Sequence, residues 1–276
     1  MFEKFARSWS LVKASAAVLR SDKELLLFPT LSGIAAMLVV ATFIVPMFAL
    51  RLFENGVGVV GAVWGFLLYL CLYFVTFFFN AALVSAAMIR LQGGDPTLAD
   101  GFNAAKAKVG PILGYAAIAA TVGLLLQALK NKDNNFLVRM LGSGLGVAWT
   151  LSTFLVVPVL VQQNVGPIEA IKQSVTLLKR TWGENAIGNV GLGAVFGLMM
   201  FGMIVLGALL VIAASSVSAA LAITLGVVAV LAVVALGIVQ SAISAIYSAA
   251  LYRFATVGET PAGFESTGMQ TAFAPK

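Results

Sequence analysis

From Ala186 to Tyr252 the chain runs 67 residues without one Asp, Glu, Lys or Arg. A bilayer core of roughly 30 Å is crossed by about 20 apolar residues in a helix, so this run holds two generous spans or three cramped ones. Its only plausible turn is the small, polar Ala213-Ala214-Ser215-Ser216-Val217-Ser218, and one span is expected on each side of it. A water-soluble core could not hide such a segment. Across 276 residues the chain is 61% hydrophobic and 10% charged, with a mean hydropathy of +1.01. Soluble domains average roughly 45–50% apolar and about 25% charged residues. The solvent for most of this chain is lipid.

The same rule yields four earlier spans: Leu25–Leu50 closed by Arg51, Val57–Ile89 closed by Arg90, Pro111–Leu129 closed by Lys130, and Met140–Val161 between Arg139 and Gln162-Gln163-Asn164. The first is longer than the 7–15 residues of a signal h-region and no A-x-A site follows it, so it is expected to stay as a span. Lys and Arg resist translocation and orient the bundle. With six spans, 13 of the 17 Lys and Arg fall on the side that holds both termini, which predicts cytoplasmic termini in the cell (inner or plasma) membrane. The net charge of +6 is then mostly orientation bias and calls for no nucleic acid.

Two span ends repeat. Ser85-Ala86-Ala87-Met88-Ile89-Arg90 precedes Gly94-Asp95, and Ser248-Ala249-Ala250-Leu251-Tyr252-Arg253 precedes Gly258-Glu259. A helical stripe precedes each pair of spans: Phe2, Phe5, Trp9, Val12, Ala16 and Leu19; then Leu98, Phe102, Ala105 and Val109; then Ile168, Ile171, Val175, Leu178 and Trp182. Apolar stripes opposed by Lys and Arg are the signature of helices lying in the membrane interface. Asp95-Pro96 and Gly166-Pro167 suit helix starts. The expected fold is an all-α polytopic membrane protein. Its six transmembrane helices form three tandem hairpins, each preceded by an amphipathic interfacial helix, with units at 1–94, 95–165 and 166–258 and a flexible cytoplasmic tail at 259–276.

This pattern, with the opening Phe5-Ala6-Arg7-Ser8-Trp9-Ser10-Leu11, Leu27-Phe28-Pro29 before span 1 and the Ser-Ala-Ala…Arg ends, resembles a group of uncharacterised bacterial multi-pass integral membrane proteins. It is distantly similar to the membrane domain of glycerophosphodiester phosphodiesterases. The catalytic domain of those enzymes has no counterpart in the chain, so the resemblance implies topology and no activity.

Chemistry is sparse. The chain has no His and one Cys, Cys71, which excludes His-based acid–base catalysis, an intramolecular disulfide and a Cys/His metal site. No cofactor or metal is expected. Asp22, Glu24, Asp95, Asp100 and Glu184 read as partners of helix ends, and an enzyme is not expected. The candidate intramembrane polar residues are Asn80, Gln240, Ser241, Ser244 and Ser248; the three serines share one helical face. Gln127 is a further polar position within a span. Their ordinary role is interhelical hydrogen bonding. G-x-x-x-G pairs at Gly61/Gly65, Gly110/Gly114, Gly142/Gly146 and Gly193/Gly197 are expected to serve packing within the chain. Asp133-Asn134-Asn135 reads as a hairpin turn.

Lys13, Arg20, Lys172, Lys179 and Arg180 are the candidate lipid- or anion-binding residues, because cations near an anionic leaflet each contribute roughly 1 kcal/mol of attraction. The leading expectation is a non-enzymatic protein that organises, senses or binds lipid or another amphiphile at the cytoplasmic leaflet. Its partners are membrane lipids, anionic ones included. The alternatives are a small-solute transporter or channel and an accessory subunit, with a membrane-protein partner or a second copy packed on the Gly faces.

Overall fold

The computed structural model describes residues 2–49, 58–131, 136–182 and 187–264. The helices are α1 (Phe2–Ser21), α2 (Leu27–Ala49), α3 (Val59–Leu91), α4 (Leu98–Ala107), α5 (Val109–Asn131), α6 (Phe136–Ser152), α7 (Val156–Gln162), α8 (Pro167–Trp182), α9 (Ile187–Ser215) and α10 (Ala219–Val257), with a 3-10 turn at Lys23–Leu26. Among the described residues there is no strand. Six stretches are long and apolar enough to cross a membrane: Lys23–Phe48, Val59–Leu91, Val109–Leu129, Gly144–Gln162, Val195–Ser215 and Ala219–Val257. The long uncharged run turns at residues 216–218, inside the segment picked out for it. The turn expected at 133–135 and the tail beyond Phe264 lie outside the described residues.

The fourth span is not one helix. Residues 153–155 form a turn between α6 and α7. Pro158 explains it, because in a continuous helix its ring would meet the carbonyl of Phe154 and its missing N–H would leave that carbonyl bare. The backbone recovers through short-range bonds, Phe154 N–H to the Leu151 carbonyl at 3.3 Å and Val156 N–H to that of Thr153 at 3.1 Å. The Leu155 N–H instead donates to the Ser174 hydroxyl of α8 at 3.1 Å, in a fully buried place.

Burial is concentrated at one end of the bundle. Ala81–Met88 of α3, Leu155–Leu160 around α7 and Ala245–Tyr252 of α10 are buried, with Tyr247 and Phe28 the bulkiest enclosed side chains. Away from that end the spans expose apolar residues: Met37 of α2 65%, Leu198 of α9 70%, Ile223 of α10 68%. Two solvents produce this gradient. In lipid an apolar side chain loses nothing by facing outward, so association rests on close packing; in water it must be covered. The lengths agree, since α10, with 39 residues, reaches roughly 58 Å against a hydrocarbon core of about 30 Å. The surplus is where the short helices pack.

α4 and α8 do not rest on their bulky stripes, whereas α1 buries Val12 and Leu19 of its stripe. In α4 the buried positions are Gly101 and Ala105, while Leu98 and Phe102 are half-buried and Val109 is exposed. In α8 they are Ala170, Ser174 and Leu177, with Ile171, Val175 and Leu178 half-buried and Ile168 exposed. In α1 they are Leu11, Val12, Ala14, Ser15, Val18 and Leu19. α4 lies on α3, α1 on α9 and α10, and α8 on α5, α6, α7 and α10. In α4 and α8 the small residues Gly101, Ala105, Ala170 and Ser174 face the neighbour and let backbones approach, while the bulky stripe residues flank the contact. In these two helices a stripe defined by bulk is therefore rotated from the face that packs. The side chains of Phe2, Phe5, Trp9 and Trp182 lie outside the described residues.

Residues 259–264, read from sequence as the start of a flexible tail, return to the core instead. Gly258 ends α10 at φ +80°, the Ala262 N–H donates to the Leu91 carbonyl at 3.4 Å, and Pro261 and Phe264 are buried.

The start of α4 is closed by a capping box. Asp100 N–H donates to the Thr97 hydroxyl oxygen and the Thr97 N–H donates to the Asp100 carboxylate. The Thr97 hydroxyl and then its backbone N–H hold the Asp100 carboxyl below its usual range. A folded-state pKa held below the unfolded one stabilises above the usual carboxylate range and is lost as pH falls through it. Thr97→Ala should therefore lower the melting midpoint at neutral pH, and its gap from wild type should narrow on acidification. A pH-independent gap would separate the cap from the carboxylate.

Candidate functional site

Two polar cavities stand out against the apolar background. The first, of about 230 Å³, opens beside α8 and is lined by Gln163, Glu169, Lys172, Gln173, Thr176 and Leu177. Gln163 ties its wall to the core, its amide donating to the Tyr252 hydroxyl at 3.1 Å. Lys108, between α4 and α5, donates to the Gln163 carbonyl at 3.0 Å and to Asn164 Oδ1 at 3.3 Å. Lys172 faces Glu169 at 3.9 Å, with both side chains more than half exposed. Such a pair contributes little in water, so both heads are available to an incoming charged group. The Lys172 carbonyl also accepts from the Thr176 hydroxyl at 3.0 Å.

Of the five basic candidates, Lys172 alone lines this cavity. Lys179 is exposed further along α8, and Lys13 and Arg20 are exposed on α1. The Arg180 side chain lies outside the described residues. α1 and α8 both pack on α10 without substantial packing on each other, so the basic residues form two separate patches. Gln163, Glu169, Gln173 and Thr176 were not singled out from sequence. From sequence Glu169, Gln173 and Thr176 read only as the polar face of α8, and Gln163 only as part of the span boundary Gln162-Gln163-Asn164.

The second cavity, of about 70 Å³, lies between α2, α3 and α10, with Ser32, Thr76, Asn80 and Ser241 among its lining residues. It brings together Asn80 and Ser241, two of the five intramembrane candidates. The others are elsewhere: Gln240 and Ser244 are half-buried, and Ser248 is buried with its hydroxyl donating to the Ala245 carbonyl at 2.9 Å. Gln127 accepts from the Tyr69 hydroxyl at 3.1 Å, the interhelical role expected of it.

The glycine pairs differ from expectation. Gly65, Gly110, Gly146, Gly193 and Gly197 have open space where a Cβ would stand, and Gly114 meets Pro167 Cγ at 3.0 Å. Close approach falls at other glycines, such as Gly101 against the Ala82 carbonyl and Gly207 against Ala229 Cβ. Spacing along one helix does not say which face meets a neighbour.

Among the described residues no group of His, Cys, Asp and Glu could hold a metal ion. No curated protein matches the chain, and the distant likeness to the membrane domain of glycerophosphodiester phosphodiesterases gains no support. The model of a family of unknown function, DUF6159, matches residues 59–264, from the first residue of α3 to the buried Phe264. This multi-span helical chain belongs to the DUF6159 family.

Proposed function

We propose that the protein is a non-enzymatic lipid-binding protein of the cell membrane that takes a lipid headgroup at the cytoplasmic leaflet, in the cavity beside α8. The observation that carries this reading is the cavity itself: an exposed ammonium and carboxylate with three neutral polar side chains, at the end of the bundle where burial is concentrated. The charge distribution assigns that end to the cytoplasm. Lys172 and Lys179 then lie where an anionic phosphate would be drawn, with Lys13 and Arg20 as a second patch.

A three-unit architecture fits the same reading. Positions 11, 15 and 18 of α1 and positions 170, 174 and 177 of α8 are buried in one spacing, and 101 and 105 of α4 follow it. That register supports three copies of a short helix seated on span ends, which would give the cytoplasmic face three related surfaces.

The test replaces Lys172, Lys179 and Arg180 with Gln and measures lipid retained in native-lipid particles. At roughly 1 kcal/mol per cation, loss of three should weaken binding of anionic lipid by roughly a hundredfold. Retention of zwitterionic lipid and the melting midpoint should stay unchanged. Undiminished anionic lipid on a folded variant would leave these residues as topology signals only.

A further inference from the structure

The cavity between α2, α3 and α10 uses none of the residues of the headgroup reading, and two of its hydroxyls are unlike most in the spans. Thr42, Thr76, Thr121, Thr150 and Thr224 each donate to the carbonyl four residues back at 2.8–2.9 Å, which satisfies a lone hydroxyl in hydrocarbon. Ser32 and Ser241 do not. Together with the Asn80 carboxamide they line the cavity and make no hydrogen bond to a described residue. Polar groups left unpaired in an apolar setting are costly. Three such groups, from three helices, meet in one place.

Depth, size and charge identify the occupant. Ser32 lies nine residues beyond Lys23 and Asn80 ten residues before Arg90, which along a helix is roughly 15 Å in both cases. With those cations at phosphate level and a polar layer of about 5–7 Å, the cavity lies roughly 8–10 Å inside the hydrocarbon. Headgroups and bulk water do not reach that level. The volume of about 70 Å³ has room for about two waters at roughly 30 Å³ each. No lining residue is charged, so a cation there would lack a counter-charge. Water meets all three limits. It needs about two to four polar partners; Asn80 offers two donors and an acceptor, and each serine hydroxyl offers both. Acyl chains against the exposed Ser241 offer neither. We infer that this cavity is a binding site for a pair of ordered waters, which bridge Ser32 of α2 and Asn80 of α3 to Ser241 of α10. Since α2 packs mainly on α3, the bridge gives the first span a polar tie to the last.

The experiment exposes the full-length protein, in native-lipid particles, to brief X-ray pulses that split water into hydroxyl radicals. These radicals oxidise the side chains nearest to where they form. Leu83 lines the cavity and is 1% exposed, so bulk water cannot label it. Leu251 is equally enclosed, lines neither cavity and serves as the control. Mass spectrometry should find Leu83 oxidised and Leu251 not, and Asn80→Leu should abolish the label on Leu83. Equal oxidation of the two leucines in the wild type means a dry cavity and overturns the inference. So does a Leu83 label that survives Asn80→Leu. A label that requires sodium or potassium in the buffer marks a hydrated cation and also overturns it. Should Asn80→Leu not fold, Ser32→Ala with Ser241→Ala removes both ends of the bridge and must abolish the label; a label that persists overturns the inference. No residue of the α8 cavity enters this comparison, so either reading can fail alone.

Discussion

Gly101→Val should unfold the packed end of the bundle at lower temperature or denaturant than any substitution of an open glycine. A Cβ on Gly101 would stand 2.6 Å from Phe28 Cζ and 2.7 Å from the Ala82 carbonyl oxygen. The Phe28 ring is enclosed and packs against Phe102, with centroids 5.3 Å apart. The carbonyl cannot turn at all, because it belongs to the ladder of α3. α4 must therefore lift off α3, uncovering Phe28 and Ala82, which are almost fully enclosed. Overpacking of a close-packed site costs about 1–3 kcal/mol and occasionally more; contact with fixed backbone puts Gly101→Val at the upper end, about 3 kcal/mol. Gly197→Ala is the control, since nothing stands within 4 Å of a Cβ there, and it should fall within roughly 0.5 kcal/mol of wild type. Unfolding in detergent micelles separates the two. Coincident curves would mean that α4 is not seated on α3.

Phe264→Ala should cost nearly as much, although the residue follows the last helix. Its side chain is wholly enclosed, and truncation of a buried aromatic costs about 3–5 kcal/mol. Two glycines deliver it there: Gly258, which turns the chain out of α10, and Gly263, at φ +84°. A Cβ on Gly263 would already lie 3.1 Å from Val18 Cγ2, so this segment packs against α1. The expected signature is a lower unfolding midpoint together with faster proteolysis of α1, where the lost contact would be felt first. A variant with unchanged midpoint and unchanged cleavage would place Phe264 outside the cooperative core.

Much of the layout is legible because lipid imposes a simple rule. Every span was readable as an apolar run of sufficient length, and the turn at 216–218 was the only small polar interruption in 67 uncharged residues. The same rule gives no depth of contact. Pro46 and Pro158 look alike in sequence, yet α2 contains Pro46 without a break while the span at Pro158 divides into α6 and α7. The difference lies in what is near: at the break the buried Ser174 hydroxyl, nineteen residues away, takes the Leu155 N–H. A freed backbone donor is tolerated in an apolar setting only when something else accepts it, and that partner is a tertiary fact.

The candidate sites divide along the same line. Lys172 and Asn80 could be named from sequence because charge and amide are rare in such a chain, and Ser241 because it shares a helical face with Ser244 and Ser248. Their companions could not. Gln163 and Glu169 belong to a boundary and a helix start, and Ser32 and Thr76 read as small residues in apolar helices until three helices bring them to one cavity. The sequence by itself determined how many times the chain can cross a membrane and where its charges must stay, since transfer of apolar and charged groups depends on composition over about 20 residues. Only the tertiary structure decided which face of each short helix is buried and which polar groups meet. Close packing depends on the absence of side-chain bulk at Gly101, Ala105, Ala170 and Ser174, and hydrophobicity along the chain does not record it.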